Sequence, residues 1–165
     1  MNKKTAFIIG TGPSLNKIDI SKLKGKNTIT FNRAYIAFED WGFDPTYYCS
    51  IDGNDMRAMY KDINNLIENS LVEKFFLCNL TDNGIHPKES FQDEDKKDDL
   101  FIKNKNVFFL HNDNSNNNNF NMKLENNNIF LKIDSNVGAM SLPILYNLGY
   151  KKWLLLGVIH IIKMI

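Results

Sequence analysis

Six short apolar runs recur along the chain, at residues 7–9, 28–31, 46–51, 74–78, 107–110 and 153–158. They are rich in β-branched and aromatic residues and lack the strict alternation of polar and apolar positions that marks a half-buried strand. Such runs are typical of strands that are covered on both faces, as in a parallel sheet. We therefore interpret them as six strands.

Segments with helical spacing lie between these runs. Residues 18–25 and 34–38 predict short helical connections, and residues 56–69 predict a longer helix. The apolar positions of that longer helix form a single stripe that we assign to the core. The stripe consists of Met56, Met59, Ile63, Leu66 and Ile67.

A last helix is predicted over residues 137–148, where it stops before Gly149. Pro143 lies inside this span and is expected to kink the helix or delay its start. Strands that alternate with helices indicate an α/β fold. We predict a Rossmann-like, doubly wound, mainly parallel sheet of about six strands.

Length and composition narrow the class of protein. The chain has 165 residues and a net charge of +1, so it allows a single domain over residues 1–165 and does not indicate a nucleic-acid-binding surface. Cys49 and Cys78 lie in strand-like runs without metal-site spacing, and we interpret them as reduced core thiols. No apolar stretch reaches the ~20 residues of a transmembrane segment, and the pattern of the first residues does not predict a signal peptide. These features predict a cytoplasmic protein and leave the oligomeric state open.

Two polar stretches flank the fifth predicted strand. Residues 82–100 are charged, and residues 112–128 form an asparagine-rich segment of low complexity. Such segments bury too little apolar area to offset the entropy of ordering them. We therefore predict a flexible insertion at about residues 82–128.

The first strand leads into the turn Gly10-Thr11-Gly12-Pro13-Ser14. Glycine lets the backbone turn sharply and approach a ligand closely, since it has no Cβ. Pro13 suits the first turn of a helix, and Ser14 offers a hydroxyl beside the amides of a helix start. A strand, a glycine turn and a helix start in this order form a seat for an anionic group such as a phosphate. The alternative is a tight turn without a ligand.

The predicted strands end repeatedly in polar or small residues. In open parallel sheets, ligands bind beyond the carboxyl ends of the strands, near the point where the strand order reverses. Taken as a set, these residues favour a site at that edge, although each one alone could be a loop or capping residue. His111 could act there as a general base or phosphate contact, with a plain surface histidine as the alternative. The six strand ends are Gly10, Asn32, Asp52, Asn79, His111 and Gly157.

Two common nucleotide motifs are absent. A dinucleotide fingerprint requires a third glycine where Leu15 stands, and an acidic residue after the second strand where Asn32 and Arg33 stand. No Gly-Lys-Ser/Thr sequence follows the turn, which excludes a Walker loop. The remaining interpretation is a nucleotide held by amides, hydroxyls and glycine backbone.

Several segments together resemble two related families. They are IIGTGPSL (residues 8–15), TFNR (30–33), DPTYY (44–48), SNVGA (135–139) and LGYKKWLLLGV (148–158). The chain resembles the bacterial lipooligosaccharide sialyltransferases of glycosyltransferase family 42. It is equally similar to the DUF115 group, which includes the archaeal 6-hydroxymethylpterin pyrophosphokinase. The resemblance covers most of the chain outside the asparagine-rich segment.

The sialyltransferase resemblance implies a glycosyltransferase-type domain that binds a CMP-activated sugar donor and a glycan acceptor, with no further cofactor. In those enzymes the glycine turn and the asparagine after the second strand line the donor site. The nucleotide-binding residues predicted here are Gly10, Thr11, Gly12, Pro13, Ser14, Asn32, Arg33, Ser50, Asp52, Ser135, Asn136, Val137 and Gly138.

The other resemblance implies different chemistry. Asp52 stands where the sialyltransferases have an amide, and a carboxylate beside a phosphate is repulsive unless a cation intervenes. This shifts some weight toward the alternative, a Mg²⁺-dependent pyrophosphokinase that acts on a pterin alcohol with ATP, with Asp52 and Asp55 as possible metal ligands. A nucleotide-binding remnant without turnover is a third alternative.

The end of the chain departs from both families. Their last strand continues as Gly-Val-Asp or Gly-Ile-Asp, whereas Gly157-Val158 here runs into the apolar residues 159–165. His160 stands too close to the strand to match the histidine base of the sialyltransferases. The departure predicts a C-terminally truncated member that keeps the nucleotide seat and lacks the catalytic half.

Overall fold

The computed structural model describes residues 4–78, 101–113, 122–132 and 136–157. Their strands are β1 (Thr5–Ile9), β2 (Thr28–Phe31), β3 (Tyr47–Ser50), β4 (Lys74–Cys78), β5 (Val107–Asn112), β6 (Lys123–Glu125), β7 (Asn128–Leu131) and β8 (Lys152–Leu156). Their α-helices are α1 (Phe38–Trp41), α2 (Gly53–Ala58), α3 (Tyr60–Asn69) and α4 (Val137–Asn147). Short 3₁₀ helices lie at Pro13–Lys17, Ile20–Leu23 and Asn32–Ala37.

The strands form one sheet in the order β6-β7-β5-β4-β3-β2-β1-β8. All neighbouring pairs are parallel except β6 with β7. The chain adds β2 to β5 and then β7 on one side of β1, and α4 then returns it to the other side, where β8 pairs with β1. Right-handed crossovers in opposite directions place their connections on opposite faces of the sheet. This confirms the Rossmann-like, doubly wound and mainly parallel α/β fold.

The described residues contain two strands more than the six that the hydrophobic pattern predicts. Strands β6 and β7 form a hairpin, and the two residues between them, Asn126 and Asn127, have φ angles of 48° and 63°. A two-residue hairpin turn of type I′ requires positive φ at both positions, and asparagine tolerates it. Of the predicted insertion, residues 82–100 and 114–121 lie outside the described residues. Its described part forms β5, β6 and this turn.

The core lies on both faces of the central strands. The predicted stripe of residues 56–69 is confirmed, since Met56, Met59, Ile63 and Ile67 are buried and Leu66 packs against them. The predicted helix itself forms as α2 and α3, which meet at Met59.

The last helix begins where the sequence predicts. Helix α4 starts at Val137 and packs against β1, β2 and β3. Pro143 is buried inside it, so the proline does not delay the start of the helix.

Two expectations about the described part of the chain concern thiols and membranes. Cys49 and Cys78 are free and buried, as predicted for core thiols. Burial raises the pKa of the Cys49 thiol far above its usual range, so this thiol stays protonated and unreactive. None of the helices between residues 4 and 157 that the structure describes has both the length and the apolar character to cross a membrane.

Candidate functional site

The strand order of the sheet reverses between β1 and β8. Strand β1 pairs with β2 on one side and with β8 on the other, and both pairings are parallel. The crossovers on either side of this point lie on opposite faces, which leaves a crevice beyond the carboxyl ends of the strands. Ligands of open α/β sheets bind at such a point, so the residues after β1, β2 and β8 and those before α4 define the candidate site.

The turn after β1 is tied to the end of β8. The Gly10 N–H donates to the carbonyl oxygen of Leu156 over 2.8 Å, and the Gly12 N–H donates to that of Gly157 over 2.6 Å. Gly12 is extended, with φ of −71°, and the 3₁₀ helix Pro13–Lys17 follows it. The helix start that the sequence predicts after this turn is therefore a short 3₁₀ helix.

The close packing of this turn also requires a glycine directly after β8. Gly157 has a φ of 63°, and a Cβ there would lie 2.7 Å from the carbonyl oxygen of Gly10. It would also lie 3.1 Å from the side chain of Leu15. Both the backbone conformation and the close approach of β1 exclude a larger residue at this position.

Asn32 follows β2 in a left-handed backbone conformation, with a φ of 45°. Two buried side chains of β3 hold it. The Tyr48 hydroxyl donates to the backbone carbonyl of Asn32 over 2.7 Å, and the Ser50 hydroxyl donates to its side-chain oxygen Oδ1 over 3.0 Å. The 3₁₀ helix Asn32–Ala37 starts from this fixed point.

The N-terminus of α4 completes the crevice. Asn136 is its N-cap, and its Oδ1 accepts hydrogen bonds from the N–H groups of Gly138 and Ala139 at 2.8 and 3.2 Å. A helix of eleven residues carries a partial positive charge at this end. That charge lies at the same edge of the sheet as the turn after β1.

These elements surround one pocket of about 530 Å³. Arg33 and Asp55 are the charged residues among its described lining, one of each sign. The full lining consists of Gly10, Thr11, Gly12, Pro13, Phe31, Asn32, Arg33, Asp55, Asn136, Val137, Gly138 and Gly157.

A family model matches nearly all of the chain. It is the model described as 6-hydroxymethylpterin diphosphokinase MptE-like, and it matches residues 1–158. The chain belongs to this family. No curated protein and no solved structure matches it.

The family confirms the DUF115 side of the resemblance and does not single out the sialyltransferases. The matched range includes every residue that lines the pocket. A sialyltransferase-type activity thus stays a prediction, as does nucleotide binding itself.

Nine of the predicted nucleotide-binding residues meet at the pocket of this family member. They are Gly10, Thr11, Gly12, Pro13, Asn32, Arg33, Asn136, Val137 and Gly138. Ser14, Ser50 and Asp52 are not in its described lining, and Ser135 lies outside the described residues, as do Asn79 and residues 158–165. Three lining residues were not among the predicted nucleotide-binding residues: Phe31, Asp55 and Gly157. Of these, Asp55 was expected only as a possible metal ligand and Gly157 only as a strand end at this edge, and Phe31 was not expected at all.

The side chains of Ser50 and Asp52 make hydrogen bonds within the protein. Ser50 is completely buried and bonds to Asn32. Asp52 is the N-cap of α2, since its Oδ1 accepts from the N–H groups of Asn54 and Asp55 at 2.9 and 3.0 Å. An aspartate followed three residues later by another acid is also a signal for the start of a helix, and that is the role of Asp52 here.

Among the residues of the pocket that the structure describes, Asp55 is the carboxylate that a magnesium ion would meet. The described residues hold no group of three His, Cys, Asp or Glu side chains that could form a protein cage for a metal. Mg²⁺ bound with nucleotides commonly takes one or two carboxylates together with phosphate oxygens and water. Asp55 fits that mode, whereas one oxygen of Asp52 is engaged in capping α2.

His111 lies four strands away from β1 at the same edge. At about 4.8 Å between neighbouring strands, it is about 19 Å from the turn after β1. Its Nε2 lies 2.8 Å from Oδ1 of Asn128, and its ring stacks on Phe130 with the centroids 4.8 Å apart. The structure therefore does not bring His111 to the pocket as a general base.

Proposed function

We propose that this pocket binds the phosphate groups of ATP and that the protein is a Mg²⁺-dependent diphosphokinase acting on a pterin alcohol. The observation that supports this most strongly is that three separate segments of the chain border the same pocket. The turn after β1, the residues Asn32 and Arg33 after β2, and the N-terminus of α4 all border one pocket at the β1/β8 switch point.

The donors around the pocket suit a polyphosphate. Arg33 carries a full positive charge, the α4 N-terminus a partial one, and Asn32 an amide group. Glycines at 10, 12 and 138 leave room for a phosphate group beside the backbone because they carry no side chain, although their own N–H groups bond within the protein. A single opposing carboxylate, Asp55, is suited to a cation shared with the phosphates.

Membership in the family described as 6-hydroxymethylpterin diphosphokinase MptE-like favours the diphosphate reaction. In that reaction the hydroxyl oxygen of the alcohol attacks the β-phosphorus of ATP and forms a P–O bond. The bond from the β-phosphorus to the α–β bridging oxygen breaks, AMP leaves, and the hydroxyl proton is released. Magnesium, when bound, neutralises charge on the phosphates.

The residues of this chain contribute position and electrostatics to such a transfer. The tied turn at Gly12 and Gly157 holds the phosphate-facing backbone rigid. Arg33 and the start of α4 favour the negative charge that collects on the departing AMP. The turn after β1 and the start of α4 are held by hydrogen bonds before the nucleotide arrives, whereas the exposed Arg33 side chain would have to be ordered by the phosphates.

Calorimetry with a panel of nucleotides tests the proposal. Titration of the folded protein with ATP, with and without Mg²⁺, is compared with CMP and a CMP-activated sugar. We expect saturable, Mg²⁺-dependent binding of ATP, followed by release of AMP when a hydroxymethylpterin is added. Binding of CMP without ATP would replace the proposal by the glycosyltransferase alternative, and ATP binding without any AMP release would favour the remnant.

A further inference from the structure

Asn32 is held at the pocket in a conformation that non-glycine residues rarely adopt. Its φ of 45° lies in the left-handed region, where asparagine is one of the more tolerant residues. It borders the pocket directly after β2. Something in the fold must fix both its backbone and its side chain.

The two groups that fix it come from one face of β3. Tyr48 and Ser50 are two residues apart, so their side chains leave the strand on the same side. Both residues are completely buried. The Tyr48 hydroxyl donates to the backbone carbonyl of Asn32 over 2.7 Å, and the Ser50 hydroxyl donates to Oδ1 over 3.0 Å.

Both groups act as donors at any physiological pH. Burial raises the pKa of Tyr48 far above its usual range, so its hydroxyl keeps its proton. The hydroxyl of serine does not ionise, and here its proton points to an acceptor oxygen. Since this internal bond directs Oδ1 of Asn32 toward Ser50, the amide nitrogen Nδ2 is the end of the side chain that can face a ligand.

We infer that Tyr48 and Ser50 are positioning residues that make Asn32 a fixed hydrogen-bond donor, so that Asn32 selects a ligand atom that accepts. This inference rests on the proposed function, in which that atom is a phosphate oxygen of the nucleotide. In this orientation Oδ1 faces Ser50, and Nδ2 is the atom that can face a phosphate oxygen. Ser50, assigned from sequence to direct nucleotide contact, acts instead through Asn32.

Asn32 variants test the donor. Asn32→Gly keeps the left-handed backbone and removes the amide, and Asn32→Asp keeps the shape and replaces the donor by a negative oxygen. With Mg²⁺-ATP as the probe, we expect Kd to rise about 10-fold in Asn32→Gly and more in Asn32→Asp, because a hydrogen bond to a charged group is lost and then reversed. Equal affinity of Asn32→Asp and wild type would overturn the inference.

A double-mutant comparison tests whether Ser50 acts through Asn32. Ser50→Ala should weaken Mg²⁺-ATP binding several-fold in the wild-type background and have no further effect in the Asn32→Gly background. The same loss in both backgrounds would show that Ser50 acts independently, which contradicts the inference. If Ser50→Ala does not fold, Ser50→Cys replaces it in the same comparison, because it keeps the size with a weaker donor.

Tyr48→Phe has a matched control on the same strand. Tyr47 is also buried, and its hydroxyl lies 3.0 Å from that of Tyr150 on the other face of β3. Tyr48→Phe should raise Kd, whereas Tyr47→Phe should leave Kd unchanged even if both lower the unfolding temperature. An equal rise of Kd in both variants would reduce the effect of Tyr48 to general stability.

The positioning can also fail separately from the proposed function. If the wild-type protein binds no nucleotide, the proposed function is wrong, and the side-chain NH₂ resonances of Asn32 still report its orientation in the free protein. Ser50→Ala should shift those resonances and Tyr47→Phe should not. Unchanged resonances in Ser50→Ala would refute the positioning even if ATP binds.

Discussion

The backbone N–H of Gly12 donates to the carbonyl oxygen of Gly157 over 2.6 Å, which joins the turn after β1 to the end of β8. The Gly10 N–H makes the adjacent bond to Leu156 over 2.8 Å. These two strands are the ones between which the order of the sheet reverses. The two bonds therefore fix one wall of the pocket in a place where the fold leaves a crevice.

Replacing Gly157 by alanine should damage both this wall and the stability of the protein. The new Cβ would lie 2.7 Å from the carbonyl oxygen of Gly10, and residue 157 has a φ of 63°. The left-handed conformation alone costs about 1–2 kcal/mol, and the overlap with β1 adds about 1–3 kcal/mol. Urea unfolding measures the free energy, and calorimetry measures nucleotide affinity.

Gly25→Ala is the matched control. Gly25 has a φ of 74°, and apart from its own atoms and those of the adjacent residues, nothing lies within 4 Å of a Cβ built on it. It should show the conformational cost without the overlap and without loss of nucleotide affinity. If the two variants lose the same free energy of unfolding, the close approach of β1 at Gly157 is wrong.

Asp52 and Asp55 should separate stability from binding. Asp52→Ala removes the N-cap of α2 and should cost about 1 kcal/mol of unfolding free energy, with little change in the Kd of Mg²⁺-ATP. Asp55→Asn should leave stability nearly unchanged and remove the dependence of ATP binding on Mg²⁺, because Asp55 is the carboxylate in the described lining of the pocket. The reverse pattern would return the metal-binding role to Asp52.

The hydrophobic pattern predicts the central strands because their environment is uniform. Strands such as β2 and β3 are buried along their whole length, so an apolar run is a sufficient signal. In the hairpin, β7 has a short apolar run of three residues, but β6 has none. Strand β6 is Lys-Leu-Glu and exposed throughout. The turn that follows it depends on two asparagines with positive φ, and in the sequence these are part of the asparagine-rich segment of low complexity.

The parts of the candidate site that lie in one contiguous segment were predictable from the sequence, and the contacts between distant segments were not. The turn after β1 and the start of α4 each follow from a contiguous motif. The roles of Ser50 and Gly157 depend on which strands become neighbours. Ser50 reaches Asn32 because β3 pairs with β2. A side chain at position 157 would collide with Gly10 because β8 pairs with β1. Strand order is not encoded in any local pattern of residues.

The turn of the hairpin makes a prediction of its own. Asn126 has a φ of 48°, which glycine adopts without strain and alanine does not. Asn126→Gly should therefore be close to neutral, and Asn126→Ala should lower the free energy of unfolding by about 1 kcal/mol. Equal urea midpoints for the two variants would contradict a left-handed residue at this position.

Tyr35 should make stability fall at alkaline pH. Its hydroxyl donates to Oδ2 of Asp62 over 2.7 Å, and burial together with this bond raises its pKa to about 12. The unfolded chain loses the phenol proton first, near pH ~10, so the contribution of Tyr35 is complete below that pH and is lost as the pH rises through about 12. Urea unfolding at several alkaline pH values should therefore show a shallower loss of stability in Tyr35→Phe than in wild type. Asp62→Asn, which keeps an acceptor and removes the charge, should lie between the two, and parallel curves for all three proteins would exclude the Tyr35–Asp62 bond as the cause.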